Sequence, residues 1–206
     1  MAEEKKGYFD EYENLTFHPY NILLVLLLFG VTALFLALSA SLVYTRVQAE
    51  LPPVALPPIF IFNTLVLLAS SGTLILAKRK FKEDDTRGYK QMLIYTITLT
   101  LVFLALQLVG WGTMFSENIM LNKDNSTSYL YLISFVHFAH VIGGLPFLFM
   151  FYRTAKQQMK EPISVLVYFS DPSKRLKLRL LTIYWHFLDG LWVYLVLFFG
   201  INYFLN

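Results

Sequence analysis

Residues 180–203 read LLTIYWHFLDGLWVYLVLFFGINY, an apolar stretch of 24 residues whose one charged side chain is Asp189. At about 1.5 Å per residue, a helix of this length spans roughly 36 Å and crosses a bilayer core of about 30 Å. Four more stretches are similarly long and apolar: about 20–43, 59–77, 92–114 and 129–152. The sequence therefore predicts an all-α integral membrane protein, a bundle of five transmembrane helices that forms a single domain over residues 1–206.

The composition of the 206-residue chain agrees with this prediction. Hydrophobic residues make up 56% of it and charged residues only 15%, against about 25% charged in an average soluble domain. Cysteine is absent, which excludes disulfides, thiol catalysis and cysteine-ligated metals. We find no phosphate-binding loop, nucleophile elbow or nucleic-acid-binding motif, so the sequence predicts no catalytic residue and no nucleic-acid partner.

Basic residues are unevenly divided between the two ends of the predicted helices. Of the 17 Lys and Arg residues, only Arg46 and Lys123 fall on one side, and the rest lie in 1–19, 78–91 and 153–179. The positive-inside rule therefore predicts a cytoplasmic N-terminus and an external C-terminus. The segment 1–19 is hydrophilic and acidic, unlike a cleaved signal peptide, so we expect the first helix to be a permanent anchor.

Ionisable groups inside the predicted helices are concentrated in the last two. His137 and His140 are three residues apart, as are His186 and Asp189, so each pair lies on one face of its helix. Counting from the helix ends places both pairs near the middle of the membrane, where an Asp costs roughly 2.5–3.5 kcal/mol. We therefore expect these four residues to form an intramembrane polar cluster that positions the fourth and fifth helices.

Three functional interpretations of this cluster stay open beside the structural one. Three imidazoles and one carboxylate are suitable ligands for zinc or iron. One histidine from each of two facing helices is an arrangement that ligates haem. A His–Asp group inside a membrane also suits proton transfer or a transport path.

Other residues are candidates for lipid binding and helix packing. Gly143 and Gly144 lack side chains, so a helix or a lipid can approach them closely. The basic runs of the inner loops fix the orientation or bind anionic lipid headgroups, and three of them are candidate lipid-binding residues: Arg175, Lys177 and Arg179. Four uncharged residues of the apolar stretches are expected to pack between helices: Asn63, Gln107, Trp185 and Trp192.

Four blocks of this sequence, in order, resemble subunit III of the haem–copper oxidases, especially that of cytochrome c oxidase. Residues 184–192, YWHFLDGLW, match the fixed positions of the family pattern Trp-His-Phe-x-Asp-x-x-Trp. FVHFAHVIGG at 135–144 and NTLVLLASS at 63–71 are similar to two further family blocks. Gln107 and Trp111 fall where the family often has a Gln followed by an aromatic residue. The resemblance is to the five-helix form of the family.

The resemblance implies an accessory subunit of a proton-pumping terminal oxidase in the bacterial inner membrane, with a periplasmic C-terminus. In the family, the haems and coppers belong to subunits I and II, so no metal or cofactor is expected on this chain. Subunit III contacts subunit I directly, assembles with subunit II and other respiratory subunits, binds phospholipid and supports proton uptake.

One departure from the family limits what carries over. Many members have a buried Glu in the helix that corresponds to the first one here, whereas no acidic residue lies between Leu15 and Arg46. A role tied to that Glu is therefore not expected. Resemblance alone favours cytochrome c over quinol as the electron donor of the complex. The alternatives are subunit III of a quinol oxidase, a haem-binding membrane electron carrier and a small transporter.

Overall fold

The computed structural model describes residues 18–52, 56–120 and 124–204. Most of the predicted N-terminal segment, 1–17, and one of the two outer basic residues, Lys123, lie outside the described residues. The described part of the chain contains no strand and forms six α-helices: α1 Pro19–Gln48, α2 Pro58–Lys82, α3 Thr86–Ser116, α4 Asn125–Gln158, α5 Pro162–Ser170 and α6 Pro172–Phe204.

Five of these helices are long and apolar enough to cross a membrane, namely α1, α2, α3, α4 and α6. The prediction of five apolar spans is therefore confirmed by length and composition. The helices extend past the predicted bounds, and α6 begins at Pro172 rather than near residue 180. Hydropathy marks only the lipid-facing length of a helix, whereas the helix itself continues until a capping residue ends it. The basic residues 174–179 consequently belong to α6 and not to a loop.

Capping residues define where several helices begin. Asp85 accepts a hydrogen bond from the Gly88 N–H at 2.8 Å and starts α3. Asp124 accepts one from the Thr127 N–H at 2.7 Å and starts α4. His18 caps α1 through Nδ1, which accepts from the Tyr20 N–H at 3.3 Å. These side chains satisfy backbone donors that have no partner inside the helix.

The turn between α2 and α3 is very short. Only residues 83–85 separate the two helices, and Asp84 adopts a positive φ of 55°. Asp tolerates this left-handed conformation better than most side chains do. The two helices therefore form a tight antiparallel hairpin.

Four helices form a closed ring in which α2 contacts α3, α3 contacts α4, α4 contacts α6 and α6 contacts α2. Helix α1 lies outside this ring, against α4 and α6. Only 17% of the most apolar part of α1 is buried, against 39% of that of α3. The short helix α5 packs at one end of the ring, where Phe169 lies 5.1 Å from Phe81, ring centre to ring centre. The four-helix ring is thus the part of the molecule that encloses a core.

Candidate functional site

Three fully buried polar side chains and one almost fully buried tryptophan meet inside the ring. They are Asn63 of α2, Gln107 of α3, His137 of α4 and Trp192 of α6, and we call them the polar layer. Asn63 Nδ2 donates to the Phe103 carbonyl at 3.2 Å and to Gln107 Oε1 at 3.3 Å. These two hydrogen bonds tie α2 to α3 at this level.

His137 joins α4 to α6 through a backbone group. Its Nε2 lies 3.1 Å from the Leu188 carbonyl oxygen. Because a carbonyl oxygen only accepts hydrogen bonds, Nε2 carries the proton and Nδ1 holds a lone pair. The imidazole also packs against the Trp192 ring, with a centroid distance of 5.0 Å. His137 is therefore held on two sides by α6.

Trp192 completes the layer by contacting α2. Its Nε1 donates to Thr64 Oγ1 at 3.1 Å. Its ring packs edge-on against Phe60 and Phe103, at 5.8 Å and 5.3 Å between centroids. A hydrogen bond between membrane helices contributes on average about 0.6 kcal/mol, so several of them together favour one particular pairing of these helices.

A second polar group lies at the edge of the α2–α6 contact. Ser71 Oγ is 2.6 Å from His186 Nδ1, and the same nitrogen is 3.7 Å from Asp189 Oδ2. We call Ser71, His186 and Asp189 the edge group. The Asp189 side chain is 5% exposed and that of His186 is 34% exposed. The carboxyl is therefore covered between helices, whereas the imidazole reaches the outer surface of the chain.

His140 has a setting of its own. Its Nδ1 donates to the Val136 carbonyl of the same helix at 2.7 Å. Its ring faces Phe35 of α1 at a centroid distance of 6.1 Å. Tyr184 of α6 donates to the His140 carbonyl at 2.9 Å. The side chain of His140 thus lies beside α1.

The four residues expected to form one polar cluster are distributed over these three settings. The structure brings His186 and Asp189 together, but within the described residues no hydrogen bond joins either imidazole of α4 to the Asp189 carboxyl. Spacing along a helix shows which side chains share a face, but the rotation of the helix decides which neighbour that face meets. On α6, Asp189 lies beside Ser71 of α2. His137 reaches α6 only through the Leu188 carbonyl.

Gly144 and Gly143 differ in their surroundings. A Cβ at Gly144 would lie 2.8 Å from Trp185 Cζ3 and 2.9 Å from Tyr184 Cε1. Close packing of α4 on α6 therefore requires a glycine at position 144. A Cβ at Gly143 would meet no atom of the described part of the chain within 4 Å, so that position stays a candidate for lipid contact.

The candidate lipid-binding basic residues lie in the first turns of α6. Arg175 and Lys177 are exposed. Arg179 donates to Asn21 Oδ1 of α1 at 3.1 Å. The beginnings of α1 and α6 therefore lie side by side.

Two contacts between helices were not predicted from the sequence. A cluster of hydroxyls joins α2 to α3, with Thr73 Oγ1 2.8 Å from Thr96 Oγ1 and Ser70 Oγ 3.3 Å from Thr100 Oγ1. Gly110 packs directly on Phe60, whose Cε1 would lie 2.5 Å from an added Cβ. The recurrence of Thr at positions 96 and 100, one helical turn apart, is a signal that points to one shared face.

The described ranges 18–52, 56–120 and 124–204 contain no group of three or more His, Asp or Glu residues that could hold a metal ion. Asp189 carries the one carboxyl group of the four ring helices, and it lies beside His186 and Ser71. Within the described ranges, these side chains join helices to one another and do not form a set of metal ligands.

Comparison with known proteins identifies the family. The sequence profile of the family described as cytochrome c oxidase subunit III matches residues 20–204. A Mycobacterium tuberculosis protein described as "Probable cytochrome c oxidase subunit 3" is 27% identical over 131 residues, which are 63% of this chain and 59% of that relative. A Rickettsia felis protein with the same description is 29% identical over 139 residues, 66% of this chain and 45% of that relative.

A third relative carries a different description. A Staphylococcus saprophyticus protein described as "Probable quinol oxidase subunit 3" is 23% identical over 138 residues, 67% of this chain and 64% of that relative. The chain thus spans less than two thirds of the length of these relatives. The family profile, however, covers the five long apolar helices from α1 to the end of α6. The four sequence blocks therefore indicated the correct family, and the chain belongs to the cytochrome c oxidase subunit III family.

Proposed function

We propose that this chain is a non-catalytic accessory subunit of a respiratory haem–copper oxidase. The observation that carries the proposal is the use of the buried polar side chains, which join the helices of the chain to each other. Asn63 bonds Gln107, His137 bonds the Leu188 carbonyl, and Trp192 bonds Thr64. Polar residues that hydrogen-bond between helices of the same chain stabilise a scaffold. The reaction with O2 would then take place in partner subunits, which hold the haems and copper.

Direct contact with subunit I is part of this proposal. His186 exposes about a third of its side chain on α6, one of the five helices that are apolar enough to cross a membrane. An imidazole that faces hydrocarbon is costly, and polar groups inside membranes almost always face protein or water. A neighbouring membrane subunit that covers the α2–α6 edge would remove this cost.

The proposed orientation places the N-terminus of α1 in the cytoplasm of a bacterium and the C-terminus of α6 in the periplasm. Basic residues gather at one end of the bundle: 78–82 at the end of α2, 153–156 near the end of α4 and 174–179 at the start of α6. The positive-inside rule assigns that end to the cytoplasm. The proposed support of proton uptake would act there, near the cytoplasmic surface of subunit I.

Phospholipid binding is the third part of the proposal. Helix α1 leaves large apolar side chains exposed along most of its length, including Leu23, Leu26 and Phe29. Gly143 offers open space on the neighbouring helix α4. Arg175 and Lys177 are exposed at the end where anionic headgroups would lie.

A quinol oxidase is the second candidate complex. It is favoured by the Staphylococcus saprophyticus relative, whose description names a quinol oxidase. In either complex this chain would have the same structural part, because the electron donor is bound by other subunits.

The decisive experiment is purification of the tagged chain from its native membrane in a mild detergent. We expect subunits I and II to co-purify and the sample to show haem absorption that the isolated chain lacks. Oxidation of reduced cytochrome c or of quinol by this sample then identifies the donor. A chain that purifies alone, carries its own haem or moves solute in liposomes would contradict the proposal and support an electron carrier or a transporter instead.

A further inference from the structure

Among the residues that the structure describes, three polar atoms of the polar layer have no hydrogen-bond partner. They are Asn63 Oδ1, Gln107 Nε2 and His137 Nδ1, and all three are buried. The residues that carry them are 0% exposed, so neither bulk water nor lipid headgroups can reach these atoms. Buried polar atoms without a partner are rare in native proteins and ask for a specific explanation.

The residues that carry these three atoms lie at about the same level of the ring. Asn63 and Gln107 are in direct contact through the hydrogen bond between Nδ2 and Oε1. Trp111 Nε1 donates to Ser134 Oγ at 3.0 Å, which fixes the antiparallel register of α3 and α4. Gln107 lies four residues before Trp111, and His137 lies three residues after Ser134. In antiparallel helices both positions are about one turn away in the same direction, so this register places them at about the same level. The Phe103 ring lies 5.9 Å from the His137 ring, and the Phe103 carbonyl accepts from Asn63.

The hydrogen-bonding types of the three atoms complement one another. Gln107 Nε2 is a donor, and Asn63 Oδ1 is an acceptor. His137 Nδ1 is also an acceptor, because the hydrogen bond to the Leu188 carbonyl places the ring proton on Nε2. One water molecule donates two hydrogen bonds and accepts at least one, so it meets this set completely. Internal waters typically make about three such bonds.

We propose that an internal water molecule binds in the polar layer, accepting from Gln107 Nε2 and donating to Asn63 Oδ1 and His137 Nδ1. A metal cation does not suit the site, because one of the three atoms belongs to an N–H group. The water links α2, α3 and α4, and Trp192 separately links α6 to α2. The proposal concerns the chain itself and holds whichever oxidase it joins.

The test is solid-state NMR of the chain in lipid bilayers with 15N-labelled histidine. The His137 signals are identified as those missing from the His137→Gln variant, which separates them from His18, His140 and His186. We expect an unprotonated Nδ1 that receives magnetisation from a water proton, together with a protonated Nε2. A protonated Nδ1, or an Nδ1 without transfer from water, overturns the proposal.

Two variants in α3 test the partners of the water. Gln107→Leu removes the donor, and we expect the transfer from water to His137 Nδ1 to fall several-fold. Trp111→Phe is the matched control, since it removes a hydrogen bond between the same helices that does not involve the three atoms, and it should leave the transfer unchanged. Full transfer in a folded Gln107→Leu variant overturns the three-contact site. If that variant does not fold, the measurement on the unsubstituted chain decides alone.

Discussion

Helix α1 and the four-helix ring are held in different ways. The ring is joined by the polar layer inside it, by the edge group between α2 and α6, and by the hydroxyl cluster between α2 and α3. Helix α1 buries only four residues, Val31, Phe35, Ser39 and Leu42, which lie on one face at spacings of three and four. At its two ends Asn21 accepts from Arg179, and Arg46 donates to the Asn202 carbonyl at 2.7 Å. Polar contacts thus specify the helix pairing inside the ring, whereas α1 is attached by an apolar stripe and by its ends.

The largest effect is expected from a substitution that disrupts the packing of α4 on α6 in the ring. Gly144→Val places a side chain against the Trp185 and Tyr184 rings, and overpacking of this kind costs about 1–3 kcal/mol. Gly143→Val, on the next residue and in open space, is the matched control. Thermal unfolding of the purified chain should show a clear loss for position 144 and little change for position 143. Equal losses would show that α4 and α6 are less closely packed than described.

The edge group is expected to have the next effect, on assembly. Asp189→Leu removes the carboxyl beside His186 and Ser71, and we expect roughly three- to tenfold less subunit I with the tagged chain, equivalent to about 0.6–1.4 kcal/mol. Asp189→Asn keeps the shape and a hydrogen-bonding group, so its loss should be smaller. An Asp189→Leu chain that assembles and turns over like the unsubstituted one would rule out this role.

A smaller effect is expected from a substitution that loosens α1 and leaves the ring intact. Phe35→Ala removes a buried ring, which costs about 3–5 kcal/mol in a soluble core. Here the cost should be nearer 1 kcal/mol, because lipid tails are as apolar as the ring they replace. The chain has no cysteine, so spin labels on introduced cysteines can report the α1–α4 distance. The distribution of that distance should broaden, while the temperature at which the ring unfolds stays unchanged. Phe29→Ala, exposed on the same helix, is the control.

The smallest expected effect concerns the turn between α2 and α3. Hydrogen bonds from Lys80 and Arg79 lower the pKa of Glu83, and the Gly88 N–H lowers the pKa of Asp85. Groups with a lowered pKa in the folded state contribute stability above their ordinary pKa, and this is lost as the pH falls through the lowered value. Since both side chains are solvent-exposed, the effect should be slight. The difference in thermal stability between the unsubstituted chain and Glu83→Gln should be present at pH 6 and shrink between about pH 5 and 3. A constant difference would contradict this.

The apolar spans could be predicted because hydropathy alone determines them, but the helix ends could not. Asp85 and Asp124 start their helices through single hydrogen bonds to the backbone, which act outside the apolar stretches. Helix α5 was missed because its nine residues are too few to cross a membrane and lie within a basic segment. Whether a glycine packs against a neighbouring helix also depends on how its own helix is rotated. Position 143 faces open space, whereas the adjacent position 144 faces two aromatic rings.

The sequence indicated which types of residue form the candidate site, but it did not indicate which residues contact each other. Asn63, Gln107 and Trp192 were expected to pack between helices, and His137 was expected to belong to a polar cluster with residues of the last helix. The structure places these four residues in one layer of the ring. The sequence contains no direct measure of helix rotation, so the expected contact between Asp189 and the imidazoles of α4 was not found. The neighbour that the structure gives Asp189 is Ser71. The single hydroxyl of a serine changes the hydropathy of an apolar stretch only slightly, so hydropathy does not single this residue out.

The three-residue turn at 83–85 has a consequence for how the chain is made. The hydrogen bonds between α2 and α3, from Asn63–Gln107 to Thr73–Thr96, join residues at most 44 positions apart. They need no residue beyond Ser116, so this hairpin can form while α4 and α6 are still being synthesised. Early local pairing lowers the entropic cost of later contacts. Biogenesis of the ring can therefore proceed in two stages, with a finished hairpin providing the surface onto which the last two membrane helices pack.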